Sequence, residues 1–165
     1  MINTSAQRVV LRHHGALRLA ASETAVLLDE GLQELKKYQA WIRGFDTTLR
    51  SAQKDSQGLP SGYLWQDEFV DFWKPFDAIQ REVVDLLDRL EEENPEVWKV
   101  AHPLLDPPRQ AQIEFAIAKP KFVQLPGEPY SRIAYPEAQL KAWARNFSGW
   151  VSKALSGLRA LSSKS

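Results

Sequence analysis

The sequence predicts an all-α protein: an antiparallel helical bundle of three to four long amphipathic helices, with an irregular proline-rich insertion before the last helix. Apolar residues recur every three or four positions in three long stretches, which is the period of an α-helix. Seven of the ten prolines fall in residues 102–136, and each disfavours helix at the residue before it. The 165 residues, 44% of them hydrophobic, suffice for one core, so we treat residues 1–165 as a single domain with an irregular segment at about 103–135.

The first apolar stripe predicts a helix that reaches residue 52. Thr4 and Gln7 have the spacing of a capping box, so this helix begins either near Ser5 or near Ser22. We expect a bend or break between Gly15 and Ser22, because about 50 unbroken residues would form a rod of roughly 75 Å, too long for a compact domain of this size. The stripe consists of Leu28, Leu35, Tyr38, Ile42, Phe45, Leu49 and Ala52.

The second stripe follows a turn-rich stretch at residues 55–62 and predicts another long helix. Pro75 lies within it, and because proline removes one backbone hydrogen bond and clashes with the preceding turn, we expect a kink or a fresh helix start there. Asn94 and Pro95 then end this helix and begin a short one, since Asn suits the N-cap and proline the first helical position. The stripe consists of Trp65, Phe69, Phe72, Phe76, Ile79, Val83, Leu86 and Leu90.

The insertion is compatible with two structures. Ile113, Phe115 and Ile117 alternate with polar or small residues and are followed by the apolar pair Phe122 and Val123, a pattern typical of a short β-hairpin. A helix over residues 108–119 is the competing interpretation.

The third stripe predicts the last helix, between residues 136 and 162. None of the three predicted helices is hydrophobic on all sides, so each must bury its stripe against the others, as in an antiparallel bundle. The third stripe consists of Leu140, Trp143, Phe147, Trp150, Ala154, Leu158 and Leu161.

Charge is distributed unevenly, although 21 Lys and Arg balance 21 Asp and Glu. The net charge is +3 for residues 1–22, −1 for 23–65, −8 for 66–97, +2 for 98–134 and +4 for 135–165. One interpretation is that the acidic second helix lies beside basic helices, so that flanking charges specify the topology. The other is that the basic terminal helices line one face and bind the phosphates of RNA or single-stranded DNA. The candidate nucleic-acid-binding residues are Arg8, Arg12, Arg18, Lys141, Arg145 and Lys153.

Three of the six tryptophans, Trp41, Trp73 and Trp98, fall off the apolar stripes. Tryptophan is a preferred interface anchor, because it buries a large area at low entropic cost and its indole N–H can reach a polar partner. We predict that these three residues bind a protein partner. The competing interpretation is that the segment 103–135 covers them.

Few catalytic classes fit the sequence. The chain has no cysteine, which excludes thiol nucleophiles, disulfides and cysteine-based metal sites. Di-iron bundles need Glu-x-x-His pairs, and none of His13, His14 and His102 has Asp or Glu three or four positions before it. Phosphate-binding glycine loops and nucleophile elbows are absent. We therefore expect no cofactor, no metal site and no catalytic residue.

One short pattern points to an enzyme instead. Arg8 and His13 are separated by four residues, and this pair resembles the Arg-x(4–6)-His element of HEPN ribonucleases, which are helical proteins. The resemblance covers six residues and implies metal-independent RNA cleavage at a dimer interface, with Arg8 and His13 as the catalytic residues. The sequence departs from the family pattern in two ways, because the element lies early in the chain and apolar Val9 follows Arg8.

Together these observations predict a non-catalytic interaction or scaffold subunit that docks to protein partners or assembles with copies of itself. The alternative is a small helical subunit of a nucleoprotein complex, and the remote alternative is a HEPN-like ribonuclease. The sequence shows neither a long apolar stretch nor a signal-peptide pattern, so we expect no membrane association and a cytoplasmic location.

Overall fold

The fold is a helical bundle with a small sheet at one end, which confirms the predicted fold class. A computed structural model describes the backbone of residues 7–116 and 119–164 and the side chains of residues 23–115 and 119–164. Its elements in chain order are α1 (Gln7–Arg43), α2 (Phe45–Asp55), β1 (Tyr63–Trp65), α3 (Asp67–Glu93), α4 (Pro95–Leu105), α5 (Pro107–Ala116), β2 (Lys121–Val123), β3 (Arg132–Pro136) and α6 (Glu137–Ser162).

The first helix continues through the region where a break was expected. α1 runs for 37 residues from Gln7, so the predicted break between Gly15 and Ser22 is wrong. A glycine inside a helix costs about 1 kcal/mol relative to alanine, whereas no proline is present there to remove a backbone hydrogen bond. Thr4 lies outside the described residues, so its capping role stays a prediction.

The interruption falls at Gly44 instead. The backbone N–H of Gly44 donates to the carbonyl oxygen of Trp41 at 3.0 Å, a turn tighter than that of the α-helix, and α2 begins at the next residue. The apolar stripe continues across this turn, since Phe45, Leu49 and Ala52 are all buried. The first stripe therefore spans two helices rather than one.

The second stripe is confirmed in α3, which buries the apolar positions from Phe69 to Leu90. α3 continues past Pro75, so a fresh helix start there is wrong. Both Pro75 and Asp71 are exposed, and water can therefore bind the Asp71 carbonyl that the proline leaves without a helical donor. Trp65 belongs to β1 rather than to this helix.

Two short helices occupy the first half of the insertion. The side-chain oxygen of Asn94 accepts a hydrogen bond from the backbone N–H of Val97 at 3.2 Å, so the predicted cap of α4 is confirmed. Of the two structures considered for residues 108–119, the helix is correct up to residue 116, where α5 ends. The predicted strand at Ile113 is wrong. A strand would turn Ile113 and Phe115 to one face, but Phe115 is buried while Ile113 is 47% exposed.

The sheet has three antiparallel strands in the order β1–β3–β2. The predicted hairpin strand around Phe122 exists as β2, but it pairs with β3, where Phe122 lies opposite Ile133. The guanidinium of Arg132 lies 4.1 Å from the centre of the Trp65 ring and pairs with Asp67. The sheet is thereby attached to the first turn of α3.

α1 packs antiparallel against both α3 and α6. The ring of Tyr38 lies 5.1 Å from that of Phe76 on α3 and 5.9 Å from that of Phe147 on α6. The helices approach closely at Gly31, where a Cβ atom would lie 3.0 Å from Leu158 of α6 and 3.3 Å from Leu86 of α3. The missing side chain lets these helices pack closely.

Candidate functional site

A connected cluster of aromatic side chains joins α1, α2, α3, α5, β3 and α6, and it contains two of the three tryptophans predicted to bind a partner. Most neighbouring rings in it are tilted or perpendicular and one pair is stacked. Their centroids lie 4.3–6.4 Å apart, close to the favourable range for aromatic pairs. The cluster consists of Tyr38, Trp41, Phe45, Phe69, Phe72, Trp73, Phe76, Phe115, Tyr135, Trp143 and Phe147.

Trp73, like Trp41, is partly buried and surrounded by aromatic rings. Its ring lies 4.5 Å from that of Phe115 and 5.4 Å from that of Trp143, and it is partly buried against the core. Phe115 belongs to the segment 103–135. This segment therefore partly covers the ring of Trp73, as the competing interpretation of the sequence expects. We therefore regard Trp73 chiefly as a packing residue.

Trp41 borders the solvent. Its ring stacks on Phe72 at 4.3 Å and its indole N–H donates to the Phe72 carbonyl, so one face and the polar atom are engaged by α3. The side chain also lines an open groove between α1 and α3, with a volume of about 600 Å³. This groove, called the α1–α3 groove below, is lined by Glu34, Lys37, Ala40, Trp41, Pro75, Ala78, Ile79, Arg81 and Glu82.

A charged pair stands at one end of the α1–α3 groove. The Nζ atom of Lys37 lies 2.8 Å from Oε2 of Glu34, and this hydrogen bond, with a smaller contribution from Glu82, raises the pKa of Lys37. The other carboxylate oxygen of Glu34, Oε1, is buried without a hydrogen-bond partner among the described residues. The groove thus combines an apolar floor with a polar rim.

Trp98 lies elsewhere, on α4. It is partly buried against the core, and its ring lies 4.9 Å from that of His102. Trp41 and Trp73, by contrast, are 5.3 Å apart. The three predicted anchors therefore do not form one continuous surface.

The structure brings Lys141 and Arg145 together with a cation that the sequence did not single out, Arg43. These three residues line a groove of about 550 Å³ between the end of α1 and α6, which Asp46 also lines; we call it the basic groove. Lys141 is partly neutralised within α6 by Glu137, whose Oε2 atom lies 2.8 Å from its Nζ atom. The same hydrogen bond lowers the pKa of Glu137. Lys153 lies two turns further along α6 and is exposed.

The N-terminal arginines are remote from the basic groove. Arg8, Arg12 and Arg18 belong to α1, but their side chains are outside the described residues. Along α1, 25 residues separate position 18 from position 43, which corresponds to about 37 Å. That the predicted cations line one face therefore stays a prediction.

Ion pairs do not bring the acidic helix α3 and the basic helix α6 together. In the part of the chain with described side chains, α3 pairs with α1 through Arg89 and Glu30 at 2.9 Å and with β3 through Asp67 and Arg132; no pair joins it to α6. The interpretation that charges align these two helices side by side is therefore wrong for α6. α1 lies against both.

Residues 23–115 and 119–164 hold no group of three or more His, Asp and Glu side chains placed to bind a metal ion. None of the helices described is both long and apolar enough to cross a membrane. The side chains of Arg8 and His13 lie outside the described residues, so the ribonuclease resemblance stays a prediction.

Comparison with known proteins supplies no identity. No protein-family model, curated protein or solved structure matches this chain. Function must therefore be inferred from the residues themselves.

Sequence reasoning missed several residues that line these sites. Glu34 and Arg43 look like ordinary charged helix positions, and no local signal distinguishes them. His102 does carry a signal: Asp106 follows it by four residues, and the two side chains approach to 3.4 Å. A carboxylate four positions after a histidine on one helix is the local pattern that predicts this pair.

Proposed function

We propose that this protein is a non-catalytic interaction subunit whose α1–α3 groove binds an amphipathic helix of a protein partner. The observation that supports this is the open apolar groove beside Trp41. A helix that inserts one apolar face into such a groove is a recurrent mode of peptide recognition. The groove is rimmed by charge and occupies two rigid helices, as a specific docking site requires.

Trp41 is held ready for such an interaction. Its ring is stacked on Phe72 and its indole N–H already donates to a backbone carbonyl. Binding therefore costs little side-chain entropy and leaves no polar atom unpaired, two conditions that favour a strong anchor.

The groove also provides room for a helix backbone. Ala40 and Ala78, on opposite walls, are both exposed, and small side chains allow helices to approach closely. Exposed charges stand on both walls, Lys37 on α1 and Arg81 and Glu82 on α3, whereas Glu34 is buried and pairs with Lys37. A partner helix with charges of both signs beside its apolar face would complement this rim.

The concave shape favours a different protein over a second copy. In a two-fold dimer the same surface packs on itself, and two grooves cannot fill each other. A copy that inserted another of its surfaces would have to do so reciprocally about a two-fold axis, or head to tail in chains or rings. A helix from another protein fills the groove without either requirement.

The proposal predicts that Ala78→Arg prevents partner binding without unfolding the protein. A photo-crosslinking residue placed at Ala78 in the source cells should give one dominant adduct with a different protein. The same residue at Val100, which is 51% exposed on α4, should not give that adduct. With the purified partner, Ala78→Arg should weaken binding at least about tenfold, or about 1.4 kcal/mol, and Val100→Arg should not.

The melting temperature of both variants should stay within a few degrees of the wild type, because both positions are exposed. Equal crosslinking from the two positions, no adduct at Ala78, or an adduct of twice the chain's own mass would each contradict the proposal. The last outcome would indicate self-assembly instead.

Nucleic-acid binding is the second candidate, and the basic groove is the observation that favours it. If Arg43, Lys141 and Arg145 bind phosphates, anisotropy titrations with random-sequence RNA and single-stranded DNA should show affinity that falls steeply with salt. The double variant Arg43→Ala/Arg145→Ala should reduce the slope of log affinity against log salt by about 2. Lys153→Ala is the control outside the groove. Absence of binding at low salt would exclude this candidate.

A further inference from the structure

A second concave site lies on another part of the bundle, between α3, α4 and the start of α5. It is a cavity of about 180 Å³, more enclosed than the α1–α3 groove. Val83, Leu87 and Leu105 form its apolar floor, and all three are buried. We call it the α3–α4 cavity. An apolar cavity of about 150 Å³ holds a benzene molecule, so this one is large enough for a ring with a short side arm.

A tyrosine from α1 lines the cavity. Tyr38 is 1% exposed as a whole residue, with its ring packed against Phe76 and Phe147. Its hydroxyl makes no hydrogen bond in the part of the chain that the structure describes. Burial raises the pKa of Tyr38, so the group is a neutral hydroxyl at physiological pH. A neutral hydroxyl can donate or accept a hydrogen bond, so it is available to a ligand in the cavity.

One wall is aromatic. Trp98 and His102 both line the cavity, with ring centroids 4.9 Å apart and planes tilted by 40°. Trp98 was predicted as an anchor for a protein partner, but its neighbours enclose a space suited to a small molecule. The indole face attracts cations more strongly than any other side-chain ring.

The opposite wall is acidic. Asp88 and Glu91, one turn apart on α3, line the cavity, and neither forms an ion pair among the described residues. The third carboxylate, Asp106, pairs with His102 at 3.4 Å. Arg109 is the one guanidinium in the lining. The lining therefore carries three carboxylates against one guanidinium, an excess that favours a positively charged guest.

We propose that the α3–α4 cavity binds a small organic cation, an ammonium group on a single aromatic ring or an alkyl body of similar size. The ammonium lies against Asp88, Glu91 and the face of Trp98, and Tyr38 lines the same cavity on the side of α1. The apolar body contacts Val83, Leu87 and Leu105. This site is separate from the α1–α3 groove and does not depend on the proposed docking function.

Calorimetric titration with three ligands of one shape and different charge tests the proposal. Phenethylammonium is the cation, 2-phenylethanol the neutral analogue and 3-phenylpropanoate the anion. The cation should bind with a dissociation constant below about 1 mM. The neutral analogue should bind at least about tenfold more weakly, a difference of about 1.4 kcal/mol, and the anion should not bind. No binding of the cation, or equal binding of the three, would overturn the proposal.

Two single-carboxylate variants of α3 test whether the cation binds in the α3–α4 cavity. Glu91→Gln keeps the shape of the side chain, removes one carboxylate and should weaken phenethylammonium binding at least about fivefold. Glu92→Gln is the matched control, because it removes the same charge from the adjacent, exposed residue, which does not line the cavity. An equal loss in both variants would mean that the cation responds to the general acidity of α3, and the proposal would fail.

The Tyr38 hydroxyl and the aromatic wall provide independent readouts. Tyr38→Phe removes a polar group from the cavity lining and should weaken binding of the cation. It should not lower the melting temperature, because no described residue forms a hydrogen bond with that hydroxyl. In proton–nitrogen spectra, the indole N–H signal of Trp98, assigned by its loss in Trp98→Phe, should shift on titration. The signal of Trp65, on the sheet, should stay in place. A shift confined to other tryptophans would place the ligand elsewhere and refute the assignment.

Discussion

Trp143→Ala should lower the free energy of unfolding by about 3–5 kcal/mol, a large share of the 5–15 kcal/mol typical of a domain. Trp143 is 5% exposed and lies at the centre of the aromatic cluster, with its ring 4.9 Å from that of Phe115 and 5.4 Å from that of Trp73. Its indole N–H donates to the carbonyl of Ala111 at 2.6 Å. Alanine would leave a cavity between α1, α3, α5 and α6 and remove the hydrogen bond that links α5 to α6.

Urea unfolding followed by far-ultraviolet circular dichroism measures this effect without relying on tryptophan fluorescence. Trp150→Ala, two turns along the same helix, is the matched control. Trp150 is only partly buried, so its loss should cost much less. Equal costs for the two variants would show that the aromatic cluster does not form the centre of the core.

Gly31→Val should lower the free energy of unfolding by about 1–3 kcal/mol through overpacking. A Cβ atom at this position would lie 3.0 Å from Leu158, 3.3 Å from Leu86 and 3.6 Å from Leu105, three leucines from α6, α3 and α4. Valine adds two further methyl groups where four helices meet, so at least one helix must shift.

Gly149→Val separates overpacking from helix propensity. Gly149 lies in α6 with no atom within 4 Å of a Cβ built on it, and valine is a better helix former than glycine. This control should be neutral or slightly stabilising in the same urea titration. A stabilised Gly31→Val variant would mean that α1 does not approach α3, α4 and α6 as closely as the structure shows.

The helices could be predicted because their signals are local. The stripe from Phe69 to Leu90 has the helical period, and Asn94 before Pro95 is a capping signal that involves neighbouring residues. The errors arose where a local signal was weak. The cost of Gly15 inside a helix, about 1 kcal/mol relative to alanine, is too small to end the helix. Gly44 produces a turn, but the period of the apolar residues continues across it.

The candidate sites could be predicted only in part. Trp41 was selected because it lies off the apolar stripe of its helix, and it borders the α1–α3 groove. The same criterion also selected Trp73, which Phe115 and Trp143 partly cover. Position on a helix wheel does not report what a distant segment places over that side chain.

The helical class, the apolar faces, the cap of α4 and the uneven distribution of charge follow from the order of the amino acids, because each depends on the spacing of neighbouring residues. Which faces stay open depends instead on how the helices pack in the folded chain. The α3–α4 cavity joins Tyr38, Glu91 and Trp98, and the α1–α3 groove joins Glu34 to Glu82. Residues so far apart in the chain meet through the antiparallel packing of α1 on α3, and that contact is a consequence of burying the whole core rather than of any local pattern.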